Sequence, residues 1–406
     1  MWRRYGDVPY TLLVLAVFAL EVVSLGLVIW GFSRNLFGSV PYTEIQGFLI
    51  GGVAVTAVAL ALLTAYVLAY HGMSRSRERR SQELSKKWTE RWIRALEGEG
   101  PFPQPPLTKE AQDAALALRE LRGGEEGAIL ASRLEEADVV EALVRRLESH
   151  RRSVRLEALE GLARARLPKA FVAVNRYVYH PQPLVRLMAA RAAARTLAAW
   201  TGPGRSDAAA AFAESLGSID LPAGAVAELL ILLEDTASLV IARLMANPKL
   251  PAPLARACLD AIGRLGLSPL AYEAGLRITH GDPEVRAAAL RAMGRLSRVP
   301  MRARDAVIIA LVDDTEFVRI QAARAAAFVP EHNALSALYE ALGDRSWWVR
   351  RASAESLMAR DAWGIDALRK AAAAHPDRFA RDMAAQVLLD AGIEVPAEAM
   401  LLRGTA

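Results

Sequence analysis

Three aromatic residues, Phe317, Trp348 and Phe379, each stand two positions before an arginine, Arg319, Arg350 and Arg381, with Trp347 beside the second of them. Large amphipathic rings at a fixed offset suit recognition of another protein, because such side chains anchor interfaces. Two readings stay open: rings exposed on one face as anchors, or rings that each cover the end of the preceding helix. His150, His180, His280 and His375 fall five or six residues before a recurring arginine. A metal site needs several imidazole, thiolate or carboxylate ligands converging; these four stand in separate segments with no cysteine or second histidine near, so they read as turn residues and no metal is expected. There is no nucleophile elbow, no HExxH pair and no glycine-rich phosphate loop, since Thr201-Gly202-Pro203-Gly204-Arg205-Ser206 lacks the lysine and the spacing. Paired carboxylates such as Asp313-Asp314 read as helix caps. No catalytic residue, no cofactor and no enzymatic activity are expected.

The elements that must position the rings follow from a period. Val-Arg pairs occur at Arg155, Arg186, Arg286, Arg319 and Arg350, with alanine for valine at Arg256 and Arg381, and successive arginines lie 31, 70, 30, 33, 31 and 31 residues apart. The one double-length gap predicts a degenerate copy near residues 221–230. A period of about 30–35 residues means stacked helix pairs. The stretch from Asp282 to Leu296 shows the pattern: an Asp-Pro turn, then small and apolar residues at helical spacing. The aspartate caps free amides and the proline has none to leave unpaired. Cys258, the single cysteine, sits in such an apolar pattern and reads as a buried, inert thiol in a reducing compartment.

On these residues the chain resembles the HEAT repeat family, in particular the short bacterial HEAT-like type with the form D-P-x-V-R-x-x-A-A-x-A-L. Residues 138–195 and 280–360 match that form well, 196–279 poorly, and 108–137 and 376–400 look like capping or decayed copies. The resemblance implies an all-α, right-handed α-solenoid of helix pairs over 108–406. It also implies that the recurrent arginine bonds acidic groups or helix ends of the neighbouring repeat.

Before the solenoid come two long apolar runs, 10–32 and 45–70, of 23 and 26 residues joined by a 12-residue link. About 20 apolar residues cross a bilayer as a helix, so residues 1–73 are expected to form a transmembrane helical hairpin. Glu21 is a carboxylate inside the first span, where charge is costly and commonly faces protein. Gly47 and Gly51 form a small-residue motif in the second that allows close helix approach. Both are expected at membrane-helix contacts, within the hairpin or with another subunit. Residues 74–94 hold eight basic and three acidic side chains, a net +5 equal to the formal charge of the whole chain. Arg75, Arg77, Arg79, Arg80, Lys86 and Lys87, in a basic juxtamembrane helix at 74–97, are therefore candidate contacts for anionic lipid headgroups. The basic bias after the second span puts both termini and the solenoid on the cytoplasmic side of the cytoplasmic membrane. The remainder sums to neutral, which argues against nucleic acid. Four prolines at 101–106 make residues 98–107 a semi-rigid linker and a domain boundary.

The expected function is that of a membrane-anchored scaffold or adaptor. Phe317, Trp347, Trp348 and Phe379 would bind a protein partner at the cytoplasmic face, such as a membrane enzyme complex that includes a polysaccharide-synthesising glycosyltransferase. Two alternatives remain: a membrane signal transducer, and a lyase or isomerase acting on a bilin-type chromophore, which the resemblance implies for some short HEAT-like proteins.

Overall fold

The computed structural model describes residues 58, 61–67 and 82–395, and among them it is all-α with no strand. Residues 61–67 are helical, and no helix among the described residues is long and apolar enough to cross a membrane. The span expected at 10–32, together with Glu21, Gly47, Gly51, Arg75, Arg77, Arg79 and Arg80, lies outside the described residues, as does most of the span expected at 45–70. By its internal contacts the chain divides into two units, Met1–Glu157 and Ala158–Ala406.

In the first unit, α1 (residues 82–96) is followed by α2 (Lys109–Leu121), α3 (Gly124–Glu136) and α4 (Val139–Leu147). Lys86 and Lys87 lie on α1 with their side chains exposed. Trp92 of the same helix is fully buried and its indole Nε1–H donates to the Ala111 carbonyl at 3.0 Å, in the first turn of α2. The proline-rich stretch is packed into this contact: the Phe102 ring sits 6.3 Å from the Trp92 ring, and the Arg133 guanidinium lies over Phe102 at 4.8 Å. A buried indole needs an acceptor for its N–H, and the Ala111 carbonyl supplies it only if α1 docks on α2. The segment expected as a spacer thus carries the turn between two docked helices.

From α5 (Arg152–Ala165) onward, helices alternate between two layers. The first layer continues with α7 (Pro183–Ala198), α9 (Ala223–Leu232), α11 (Ala252–Leu265), α13 (Pro283–Leu296), α15 (Glu316–Ala326), α17 (Trp347–Met358) and α19 (Arg378–Asp390). The second layer holds α6 (Phe171–Arg176), α8 (Arg205–Ser218), α10 (Ala237–Met245), α12 (Ala271–Gly275), α14 (Arg304–Ile309), α16 (His332–Ala341) and α18 (Asp361–Ala374). Within the second unit each odd-numbered helix from α7 to α19 packs on the next odd-numbered one, giving a solenoid-like stack of helix pairs. Alanine makes the close spacing possible: Ala189, Ala190, Ala192, Ala193 and Ala194 of α7 and Ala287 to Ala289 of α13 are buried between neighbours. Such contacts set interaxial distances of about 8–10 Å, shorter with small side chains at the crossing.

The double-length gap is filled as expected, by α9 seated between α7 and α11. In the regular copies the arginine's amide makes the first bond back to the residue before the helix, as in Arg286 to Asp282, Arg319 to Thr315 and Arg350 to Ser346. That place is taken by buried Val226 in α9 and by buried Ala255 in α11. The alignment of Arg256 with the other arginines is therefore off by one residue; Arg256 instead faces Glu284 at 3.9 Å.

Candidate partner-binding edge

Each regular copy builds its turn from one residue, six before the arginine. Asp313 and Asp344 accept there from the amides of Thr315 and Ser346, at 2.9 and 2.7 Å. His180, His280 and His375 do the same through Nδ1, accepting from the amides of Gln182, Asp282 and Asp377 at 3.1, 3.0 and 3.1 Å. This is the local side-chain-to-backbone bond that starts a turn. The histidines are turn residues, as the sequence indicates, and no metal-holding group of His, Cys, Asp or Glu occurs among the described residues.

The arginine then closes the turn from the other side. Nη1 of Arg286 donates to the carbonyls of His280 and Gly281 at 3.0 and 3.1 Å, and Nη1 of Arg319 to Asp313 and Asp314 at 2.9 and 3.2 Å. Arg350 and Arg381 repeat the pattern on Asp344 and His375, and Arg155 on Ser149. Where the following copy carries aspartate in its turn, the other two guanidinium nitrogens, Nε and Nη2, reach forward to it. Arg286 grips Asp313 at 2.8 and 2.9 Å, and Arg319 grips Asp344 at 2.8 and 3.1 Å. Bidentate, charge-assisted pairs of this kind are strong and directional. The role implied by the resemblance is thus seen at Arg286 and Arg319. Burial alone pushes the Asp313 carboxyl up, but the Arg286 hydrogen bonds, the Thr315 amide and the guanidinium charge outweigh it and leave it below the ordinary carboxylate range.

The first turns of α15, α17 and α19 present the aromatic residues. Phe317 is 39% exposed, Trp347 49%, Trp348 62% and Phe379 62%, so a large part of each ring faces solvent. They are neighbours across the stack. Ser346 donates to Glu316 at 2.5 Å, tying the start of α17 to that of α15, and the Arg350 guanidinium lies 5.3 Å from the Phe379 ring. Trp347 and Trp348 stand edge to face at 4.7 Å.

A concave surface away from this edge had no signal in the repeat motif. Between α14, α16 and α18 lies a groove of about 720 Å³ lined by Met301, Phe328, His332 and Trp363 with Arg304 and Arg360 on its walls. Met301 and Trp363 are exposed, and the His332 and Trp363 rings are 5.6 Å apart. Its arginines serve the fold: Arg304 pairs with Glu331, and Arg360 donates to the carbonyls of Ala326 and Val329 at the end of α15. Cys258 is fully buried, and desolvation pushes its thiol up to about 12, against a smaller opposite pull from Arg277.

A family model described as HEAT repeats matches residues 274–359 and 318–389, a stretch that contains the whole aromatic edge. No curated protein matches. Among solved structures the chain is similar to three engineered proteins determined by a structural genomics consortium. One is 20% identical with a TM-score of 0.35, covering 78% of this chain and 91% of that one. A second is 19% identical with a TM-score of 0.25, covering 55% and 98%, and a third 20% identical with a TM-score of 0.20, covering 64% and 99%.

Proposed function

We propose that this chain is a non-enzymatic, membrane-anchored scaffold whose helical repeats hold a protein partner at the cytoplasmic face of the membrane. HEAT repeats are present, and stacked helical repeats build extended surfaces for protein interaction. The observation that carries the reading is the exposed edge of Phe317, Trp347, Trp348 and Phe379 on consecutive repeats. Membrane attachment is supported by the two apolar runs at 10–32 and 45–70 and by the basic residues after them. Tethering confines scaffold and partner to one surface and so raises their effective concentration. An accessory subunit of a membrane enzyme complex, such as a polysaccharide-synthesising glycosyltransferase, is the role this arrangement suits.

The test is cross-linking in native membranes with a photoreactive amino acid in place of Trp348, followed by capture in mild detergent. A single membrane complex is expected, and it should be lost when Phe317, Trp347 and Phe379 are replaced by alanine in the same chain. Capture that is unaffected by the alanines contradicts the edge. Release of the chain from membranes by salt and carbonate washes contradicts the anchor, and digestion of its C-terminal half by protease added outside whole cells contradicts the cytoplasmic placement.

A further inference from the structure

The aromatic edge changes sign along its length, and the change names the chemistry of what it would hold; the inference rests on the scaffold reading above. The turn and first helical residues leading to Arg319 carry three carboxylates, Asp313, Asp314 and Glu316; Asp313 is gripped by Arg286 and Arg319 by Asp344, which leaves Asp314 and Glu316 to set a negative sign there. The same stretch of the next copy carries Asp344 against Arg345 and Arg350, and of the one after, Asp377 against Arg378 and Arg381. The few carboxylates at this second end are already engaged. Asp344 is gripped by Arg319 and accepts from the Ser346 amide, Asp377 caps α19 by accepting from the Ala380 amide at 3.0 Å, and Asp382 lies 3.8 Å from Arg378.

Arg350 adds the decisive feature. Its counterparts Arg286 and Arg319 each meet an aspartate of the next turn, but the residue in that position for Arg350 is His375. The His375 ring already uses Nδ1 to accept from Asp377, so in its neutral form Nε2 carries the proton and offers nothing to a guanidinium. His375 is only 4% exposed, and both its Nε2 and the Nε of Arg350 are buried with no hydrogen-bond partner in the chain. The Arg350 charge is therefore left without a paired carboxylate, 5.3 Å from the exposed Phe379 ring, and Arg345 and Arg378, at the starts of α17 and α19, are exposed.

We infer that the Trp348–Phe379 end of the edge is the docking site for an acidic peptide segment of the partner that carries aromatic or apolar anchors. The rings take the anchors; Arg350, which the broken ladder leaves without a carboxylate, supplies charge together with the exposed Arg345 and with Arg378, which Asp382 holds only loosely at 3.8 Å on the surface. The acidic turn beside Phe317 repels a continuing acidic run and so fixes where the segment ends. Complementary charge of this kind contributes chiefly to specificity and association rate.

The full-length protein in detergent is titrated into a fluorescently labelled peptide of glutamates and aspartates with two central tryptophans, read by anisotropy. Controls are the same peptide with lysines for the acids, and with serines for the tryptophans. The acidic tryptophan peptide is expected to bind at least tenfold more tightly than either control. Arg345→Glu with Arg378→Glu, both on the surface, should weaken it at least tenfold. His375→Asp, which supplies Arg350 with a carboxylate, should weaken it several-fold while raising thermal stability, a pair of effects that mere structural damage does not give. Equal binding of acidic and basic peptides, or unchanged affinity in the folded arginine variants, overturns the inference. So does arginine-dependent binding to phosphatidylglycerol vesicles in the absence of peptide binding, which would assign the site to lipid. If the Trp348 cross-link captures a partner while no acidic peptide binds, the scaffold reading stands and this inference falls; if acidic peptides bind but no partner is captured from membranes, the reverse holds.

Discussion

Exchanging the turn residues of two copies isolates what the arginine ladder contributes. Asp344→His places in one turn the residue that His375 provides in the next, so the bond to the Ser346 amide is kept and only the pairing with Arg319 is lost. The Arg319 side chain is 5% exposed and that of Asp344 12%, so the pair is largely removed from water. Taking one partner from a buried pair costs about 3–5 kcal/mol, because the remaining charge stays buried. Arg319 keeps its bonds to the Asp313 and Asp314 carbonyls, which places the expected loss at the low end, about 3 kcal/mol. For a folding unit the size of residues 158–406, that corresponds to a fall in Tm of roughly 6–12 °C. The reciprocal change, His375→Asp, gives Arg350 two charge-assisted bonds and should stabilise by about 1–2 kcal/mol after the cost of burying the new carboxylate. Calorimetry reads the first effect. Because repeat arrays can open locally, hydrogen exchange of the α15–α17 and α17–α19 amides shows whether each change acts at its own interface. A Tm for Asp344→His within about 1 °C of the parent, or a His375→Asp variant that is less stable than the parent, would refute the ladder as an energetic device.

Three further outcomes follow from the same geometry. The folded-state pKa of Asp313 is depressed, so its contribution to stability is fully present above the unfolded carboxylate value of about 4 and is lost as pH falls through the folded one; Asp313→Asn should flatten the stability-versus-pH curve in that acid range in denaturant titrations. Cys258, buried with its thiol pushed up to about 12, should give no reaction with a thiol reagent at pH 8 in the native protein and one equivalent after guanidinium unfolding. Gly364 admits no side chain: a Cβ there would lie 1.8 Å from the Leu357 carbonyl oxygen where α18 begins to pack on α17, so Gly364→Ala should destabilise by about 1–3 kcal/mol or more. Gly364→Ala with unchanged denaturation would contradict that close approach.

What the sequence determined by itself lies within a helix and its turn. The period, the helix start at Asp282-Pro283, the turn role of the histidines, the burial of Cys258 and the presence of a hidden copy near 221–230, where α9 spans 223–232, all rest on contacts between residues at most six apart, or on burial patterns repeated along one helix. Such interactions need no knowledge of the neighbour. Tertiary structure decided what depends on how one copy is set against the next. It placed Phe317, Trp347, Trp348 and Phe379 in solvent, and gave Arg286 and Arg319 an aspartate while leaving Arg350 opposite a histidine. It also put Ala255 where Arg256 was expected and folded the proline-rich segment under Trp92. Alignment by the motif gives every copy the same partners, but the partner of each arginine stands some 25–27 residues further on, in another turn. Whether a carboxylate waits there depends on helix stacking and on a residue outside the motif, and that distance in sequence, closed only in space, is why the edge's charge could not be read before its fold.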